Sequence, residues 1–187
     1  MSDSNPFPRF TVETAPNASR PLLQASAQQF GFLPSPLAYA AGSPALLRQL
    51  LAGFAAFDRT SLTQAEREVV AMTVAFEHGC HYCMALHSAL LAQSPELAPL
   101  VSLLRSGSPL PDAKLEALRS WVRAIVSQRG RVSASSMQAF LAAGFSQEAA
   151  LDVLLGTTVY ITSTLINLVT QAELDPPFQA FRWDKPV

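Results

Sequence analysis

Charge, cysteine and histidine are all scarce in this sequence. Only 14% of its 187 residues are Asp, Glu, Lys or Arg, against roughly 25% in ordinary soluble domains. Thirteen cationic and fourteen anionic side chains leave a net charge of −1. With no surplus of positive charge to meet a phosphate backbone, nucleic acid is not an expected partner. The opening Met-Ser-Asp-Ser-Asn-Pro carries neither a cationic segment nor an apolar run, so no secretory signal is expected. The most apolar long stretch, residues 153–169, is interrupted by Gly156, Thr157, Thr158, Thr162, Ser163, Thr164 and Asn167. It falls short of the ~20 apolar residues that a membrane span requires. A cytoplasmic protein without a membrane segment is the expectation. Sustained period-2 alternation is missing as well, which argues against strands and leaves an all-α fold.

What the chain does have is apolar surface. At 49% hydrophobic, it must bury that surface in a large core or against other subunits, so a homo-oligomer is expected. The length fits one domain over residues 1–187. Residues 1–19 read as a polar, proline-bearing arm and residues 43–94 as the core segment. Pro21 opens a short helix to about Phe30, and Pro34 and Pro36 punctuate the stretch beyond it. Ser43-Pro44 supplies an N-cap and first-turn proline; Leu46, Leu47, Leu50, Leu51, Phe54 and Phe57 then recur at helical spacing. Thr63 and Glu66 form a capping box ahead of an almost wholly apolar turn, residues 69–76. Further helices are predicted from Cys80 to about Gln93, from Ser94-Pro95 to about Leu104, from Asp112 to before Gly130, over residues 133–143, and from Ser146 to about Leu174.

The few cysteines and histidines are not scattered. Both cysteines and all three histidines fall within residues 78–87, in the run His-Gly-Cys-His-Tyr-Cys-Met-Ala-Leu-His. If Gly79 ends one helix, Cys80 and Cys83 lie in the first turn of the next, and His87 lies four residues beyond Cys83 on the same face. In a chain without an export signal, such a pair points to redox chemistry or metal binding rather than to a structural disulfide. A helix N-terminus would favour Cys80 as the thiolate, whereas the nearby imidazole would favour Cys83. Glu68 sits at the edge of the buried 69–76 turn and needs a partner; an antiparallel packing of the two helices would bring it to His87. The run Cys-x2-Cys-x3-His also offers three zinc-type ligands, with His78 or His81 as a fourth. His78 and His81 otherwise read as exposed or supporting residues, and Asn167 as a hydrogen-bonded core amide.

Glu68 followed twelve positions later by Cys80-His81-Tyr82-Cys83-Met84-Ala85-Leu86-His87 resembles the AhpD-like alkylhydroperoxidases of the carboxymuconolactone decarboxylase superfamily. The flanking residues 62–70, Leu-Thr-Gln-Ala-Glu-Arg-Glu-Val-Val, also look like that family's helix entry, and residues 143–146 look like its peroxidase-related subgroup. The resemblance implies an oligomeric all-α helical bundle that reduces alkyl hydroperoxides through a dithiol–disulfide cycle, with no metal and no cofactor. By that match Cys83 would attack the peroxide and Cys80 would resolve the sulfenic acid to a disulfide, while Glu68 and His87 relay the proton. An external dithiol of dihydrolipoyl or thioredoxin type would be the reducing partner. The alternatives are a lactone decarboxylase that does not need the cysteines, and a zinc-binding or redox-sensing module without catalysis.

Overall fold

The computed structural model describes residues 5–186; the first four residues of the expected arm and Val187 lie outside them. Nine α-helices run in chain order among the described residues: α1 (Arg20–Phe30), α2 (Ser35–Ala40), α3 (Pro44–Phe57), α4 (Gln64–His78), α5 (His81–Leu91), α6 (Ala98–Ser106), α7 (Ala113–Ser127), α8 (Ala134–Ala142) and α9 (Gln147–Val169), with a 3-10 helix at Pro176–Phe181. No strand occurs among them, and the all-α expectation holds.

The start signals act as the sequence suggests. Ser43, Asp112, Ser133 and Ser146 each accept a hydrogen bond from the backbone N–H two or three residues on. Thr63 and Glu66 close the capping box reciprocally, which satisfies two of the donors a helix start leaves open. Four boundaries differ. Cys80 is not in the first turn of α5 but caps it, and α5 stops at Leu91. Ser94-Pro95 begins a turn instead of a helix: the Ser94 carbonyl takes the N–H groups of Leu97 and Ala98, and α6 starts after that. α9 ends at Val169, five residues early, because Gln171 takes a left-handed φ of 50° and Ala172 N–H returns to the Asn167 carbonyl. A glutamine there gives no warning, since such stops are ordinarily glycine. The α2 turn and the 3-10 helix both open on prolines that the sequence shows as punctuation; proline is equally at home in a helix's first turn.

α4 is the central element. It packs on α5, α7 and α9, while α3 lies along α9 and the 3-10 helix lies against α5. Val69, Val70, Met72, Val74 and Ala75 are fully buried, as an almost wholly apolar helix requires. Two apolar clusters meet along α9. One joins residues of α4, α5, α7 and α8 with Ala149, Ala150 and Val153; the other joins residues of α1, α2 and α3 with Val159 and Ile166. α9 is the one described helix long and apolar enough to cross a membrane, and it exceeds the interrupted 153–169 stretch because its helix starts at Gln147. Its inward face is not uniformly apolar: Thr157, Thr164 and Asn167 are all buried.

Candidate functional site

The site begins at the corner between α4 and α5. Gly79 takes φ 68°, a left-handed conformation that ends α4 and favours glycine. Cys80 N–H bonds back to the Ala75 carbonyl at 2.9 Å. The chain then turns directly into α5, with Cys80 Sγ as its N-cap acceptor, 3.3 Å from Cys83 N–H. This corner holds the two free thiols 2.8 Å apart in the core. Both residues are buried, Cys80 at 0% exposed and Cys83 at 5%.

α9 closes over the pair from the other side. Asn167 Nδ2 donates to Cys83 Sγ at 3.1 Å and to Cys80 Sγ at 3.5 Å, and Thr164 Oγ1 lies 3.6 Å from Cys83 Sγ. Two sulfurs this close share their protons, and they ionise as a pair. The Cys80 thiol is lowered to about 6, by hydrogen bonding from Cys83 first and then from Asn167 and the Cys83 backbone N–H, against the cost of burial. The Cys83 thiol is pushed up by its hydrogen bond to Cys80, by burial and by the charge on its neighbour. The first negative charge therefore rests on Cys80, where the helix-start argument puts it.

Glu68 and His87 meet across the α4–α5 contact. His87 Nδ1 is 2.7 Å from Glu68 Oε2, and both side chains are largely buried. This answers why a carboxylate sits at the edge of an apolar turn. The Tyr160 ring stands edge-on to His87 at 5.2 Å. Its hydroxyl is held well above the usual phenol range by burial and by the negative charges of Glu68, Asp58 and Cys83; at neutral pH it is a proton donor, not an anion. His87 makes no hydrogen bond to either sulfur among the described residues, so a transfer between them needs an intervening water.

The other residues of the run divide clearly. Tyr82 Oη donates to Asp175 Oδ2 at 2.6 Å, and Asp175 also receives the Ser35 hydroxyl and N–H. The hydroxyl inside the Cys-x2-Cys turn is thus committed to anchoring that turn on the buried Asp175. His78 Nδ1 lies 3.0 Å from the Val74 carbonyl. Among the described residues no three His, Cys, Asp or Glu side chains converge to hold a metal ion; His87, the third potential ligand, is paired with Glu68 instead. His81 lines a cleft of 490 Å³ together with Asn167, Leu168, Glu173, Gln179 and Arg182. The C-terminal tail forms one wall of it, pinned by Arg105 to the carbonyls of Phe181 and Arg182 and by Trp183 Nε1 to the Arg105 carbonyl. Asn167 both lines this cleft and touches the sulfurs, which makes it the link between them.

Sequence reasoning missed Tyr160, Thr164 and Asn167 as neighbours of the site. Their signal was present in the spacing: positions 157, 160, 164 and 167 step by three and four along one face of an otherwise apolar helix.

The family model for the carboxymuconolactone decarboxylase family matches residues 44–96, the segment holding Glu68, both cysteines and His87. No curated protein matches the sequence. Among solved structures, a peroxidase-related protein with an alkylhydroperoxidase AhpD core from Ralstonia eutropha JMP134 superposes with a TM-score of 0.79 at 21% identity, covering 96% of this chain and 97% of its own. A peroxidase-related protein from Silicibacter sp. TM1040 gives 0.79 at 17% identity, covering 97% and 99%. The debrominase Bmp8, as a variant in complex with 2,3,4-tribromopyrrole, gives 0.77 at 16% identity, covering 97% of each. Residues 44–96, which carry the dithiol, thus match the carboxymuconolactone decarboxylase family, and the chain as a whole has the AhpD-like fold of these solved structures.

Proposed function

We propose that the protein is a thiol peroxidase that reduces organic hydroperoxides to alcohols through a Cys80/Cys83 dithiol–disulfide cycle. One observation carries this reading: two free thiols lie 2.8 Å apart on the same helix as an imidazole bonded to a carboxylate, and Asn167, which donates to both sulfurs, lines a cleft. Cys83 Sγ attacks the terminal oxygen of the peroxide as its proton passes to the Cys80 thiolate 2.8 Å away; the S–O bond forms, the O–O bond breaks, and the departing alkoxide takes a proton from the Glu68–His87 pair through water. The sulfur is oxidised to sulfenic acid and the peroxide is reduced to alcohol. Cys80 Sγ then attacks Cys83 Sγ, forming the disulfide and releasing the oxygen as water.

The lowered Cys80 thiol fits the resolving role. It supplies a ready thiolate against the sulfenic acid, and it is the better leaving group when an external dithiol attacks the Cys83 sulfur. A dihydrolipoyl- or thioredoxin-type dithiol is the proposed reductant. We extend the proposal to assembly: Leu151, Leu154, Leu165, Leu168 and Val169 are exposed along α9, and a homo-oligomer would cover them.

The fold shared with a debrominase supports a second reading. Replacing C–Br by C–H with release of HBr consumes two electrons and two protons, which the same dithiol would supply. The deciding experiment counts free thiols before and after one equivalent of cumene hydroperoxide, with 2,3,4-tribromopyrrole as a parallel arm. Loss of both thiols to the hydroperoxide is expected; thiols that stay intact under excess hydroperoxide would overturn the reading, and their loss only to the bromopyrrole would replace it.

A further inference from the structure

We infer that Asn167 is a catalytic residue: one end of its carboxamide donates to the two sulfurs, and the other end accepts the O–H of the incoming hydroperoxide. The inference deepens the proposed peroxidase reading and rests on it for the second half.

Asn167 is 1% exposed, on the inward face of α9. An amide placed there only for packing would satisfy its strong donors and its acceptor on backbone or side-chain oxygen and nitrogen. Asn167 does neither. Nδ2 faces sulfur, a weak acceptor until it is ionised, at 3.1 and 3.5 Å. Oδ1 is buried with no hydrogen-bond partner. This orientation suits a pair that loses one proton easily: with the amide turned over, an oxygen lone pair would face the thiolate. Besides each other, the groups within hydrogen-bond reach of the sulfurs among the described residues are Asn167 and Thr164 from α9 and the Cys83 backbone N–H, and none of these is a cation. The Asn167 N–H group is therefore a principal donor to the anion, beside the Cys83 backbone N–H at the α5 start.

The free acceptor belongs to a residue that also lines the cleft. A hydroperoxide entering there brings an O–H donor on the oxygen that sulfur must attack. Bound to Oδ1, that oxygen is held near Cys83 Sγ, and its hydrogen stays with it as the S–O bond forms and the O–O bond breaks. The product is the sulfenic acid Cys83–S–OH, so no proton passes through Asn167. The amide binds both reactants of the bond-forming step and transfers nothing.

Asn167→Leu and Asn167→Ala test this, after circular dichroism confirms that each folds. The first readout is the pH titration of thiolate ultraviolet absorbance in the reduced protein without peroxide. Losing a hydrogen bond to a charged group should raise the midpoint by roughly one to two pH units. A packing role would leave it in place, and an unmoved midpoint in either folded variant overturns the donor role. So would a wild-type first midpoint at or above the ordinary thiol value of about 8.5. The second readout is the rate of thiol loss to cumene hydroperoxide at a pH where the variant's first thiol is ionised. A residual tenfold or greater slowing of Asn167→Leu supports the acceptor role, and equal rates overturn it. Wild-type thiols that titrate low yet ignore the hydroperoxide would overturn the peroxidase reading and the acceptor role together, while the donor role would stand on the titration.

Discussion

α5 and α9 approach the dithiol from opposite sides, and they show their roles in different ways. In the proposed cycle α5 supplies the reacting atoms from a dense run: Cys80 at its cap, Cys83 in its first turn and His87 one turn on. α9 supplies the surroundings from residues spread over almost two turns, Tyr160, Thr164 and Asn167, none of which would attract notice singly. Nucleophiles must be particular elements at fixed spacing, and few residue types qualify. A surrounding that donates hydrogen bonds and excludes water can be built in many ways, so its sequence pattern is weak. On the proposed reading, reactivity lives on α5 and the tuning of reactivity on α9.

The sharpest way to break that division is to exchange the sulfurs. Cys80→Ser should still consume one equivalent of hydroperoxide and leave a trappable sulfenic acid at Cys83, whereas Cys83→Ser should be nearly inert on the same timescale. Mass spectrometry of a dimedone-trapped sample reads this directly. Peroxide-dependent trapping at Cys80 in Cys83→Ser, with Cys80→Ser inert, would give the attack to the thiolate that α9 and the helix start favour.

Next in size is the carboxylate behind the imidazole. Glu68→Gln keeps the volume but removes the acid–base partner 2.7 Å from His87 Nδ1. A positioned acid–base group contributes roughly 10²–10⁴ in rate, so disulfide formation should slow by that factor while far-ultraviolet circular dichroism stays unchanged. An unaltered rate would mean that Glu68 merely satisfies His87.

A smaller and graded effect lies in pH. With the Cys80 thiol lowered to about 6, alkylation of the first thiol by iodoacetamide should rise with pH through that value and level off above it, because the thiolate is the reactive form. Stability should move in the same direction. Between about 6 and the ordinary thiol value near 8.5, the unfolded chain holds a proton at Cys80 that the folded chain has lost, so stability rises with pH over that window. It is lost again as pH falls through 6. Cys83, pushed the other way, opposes this only at higher pH. A denaturant midpoint that falls between pH 6 and 8 would contradict the assignment.

These tests also show how far the sequence could be read. The helix starts were legible because caps are local: Ser43, Thr63, Asp112, Ser133 and Ser146 act within three residues of themselves. The Glu68–His87 pairing was legible because an apolar helix with one acid at its edge leaves that acid few options. Helix ends were less so, since Gln171 stops α9 in a conformation that glutamine rarely takes. Asn167 read as a core amide because burial was all its sequence context could indicate; that its N–H groups point to sulfur depends on how α9 crosses α5. Tyr82 likewise shows no sign that Asp175, 93 residues away, will take its hydroxyl.

The mildest effect on chemistry should come from a change that acts only on packing. Gly156 lies inside α9, where alanine is ordinarily favoured over glycine by about 1 kcal/mol. A Cβ at this position would collide with the Phe57 ring, and Phe57 is itself 1% exposed and packed edge-on to Tyr160 at 5.9 Å. No ring edge tolerates that approach, so Gly156→Ala must displace Phe57, at an overpacking cost of typically about 1–3 kcal/mol. The helix-propensity gain offsets part of it, which leaves a net loss of up to about 2 kcal/mol. For a chain of this size that is a fall in Tm of up to roughly 8 °C. The displaced ring pushes toward Tyr160 and thus toward His87, while Asn167 and both sulfurs lie about three turns along α9 from the clash. The titration midpoint of the dithiol should therefore stay where it is as the Tm falls. If the midpoint moved with the Tm, α9 would be transmitting strain along its length to the sulfurs, and the separation between a reacting helix and a tuning helix would have to give way to one coupled unit.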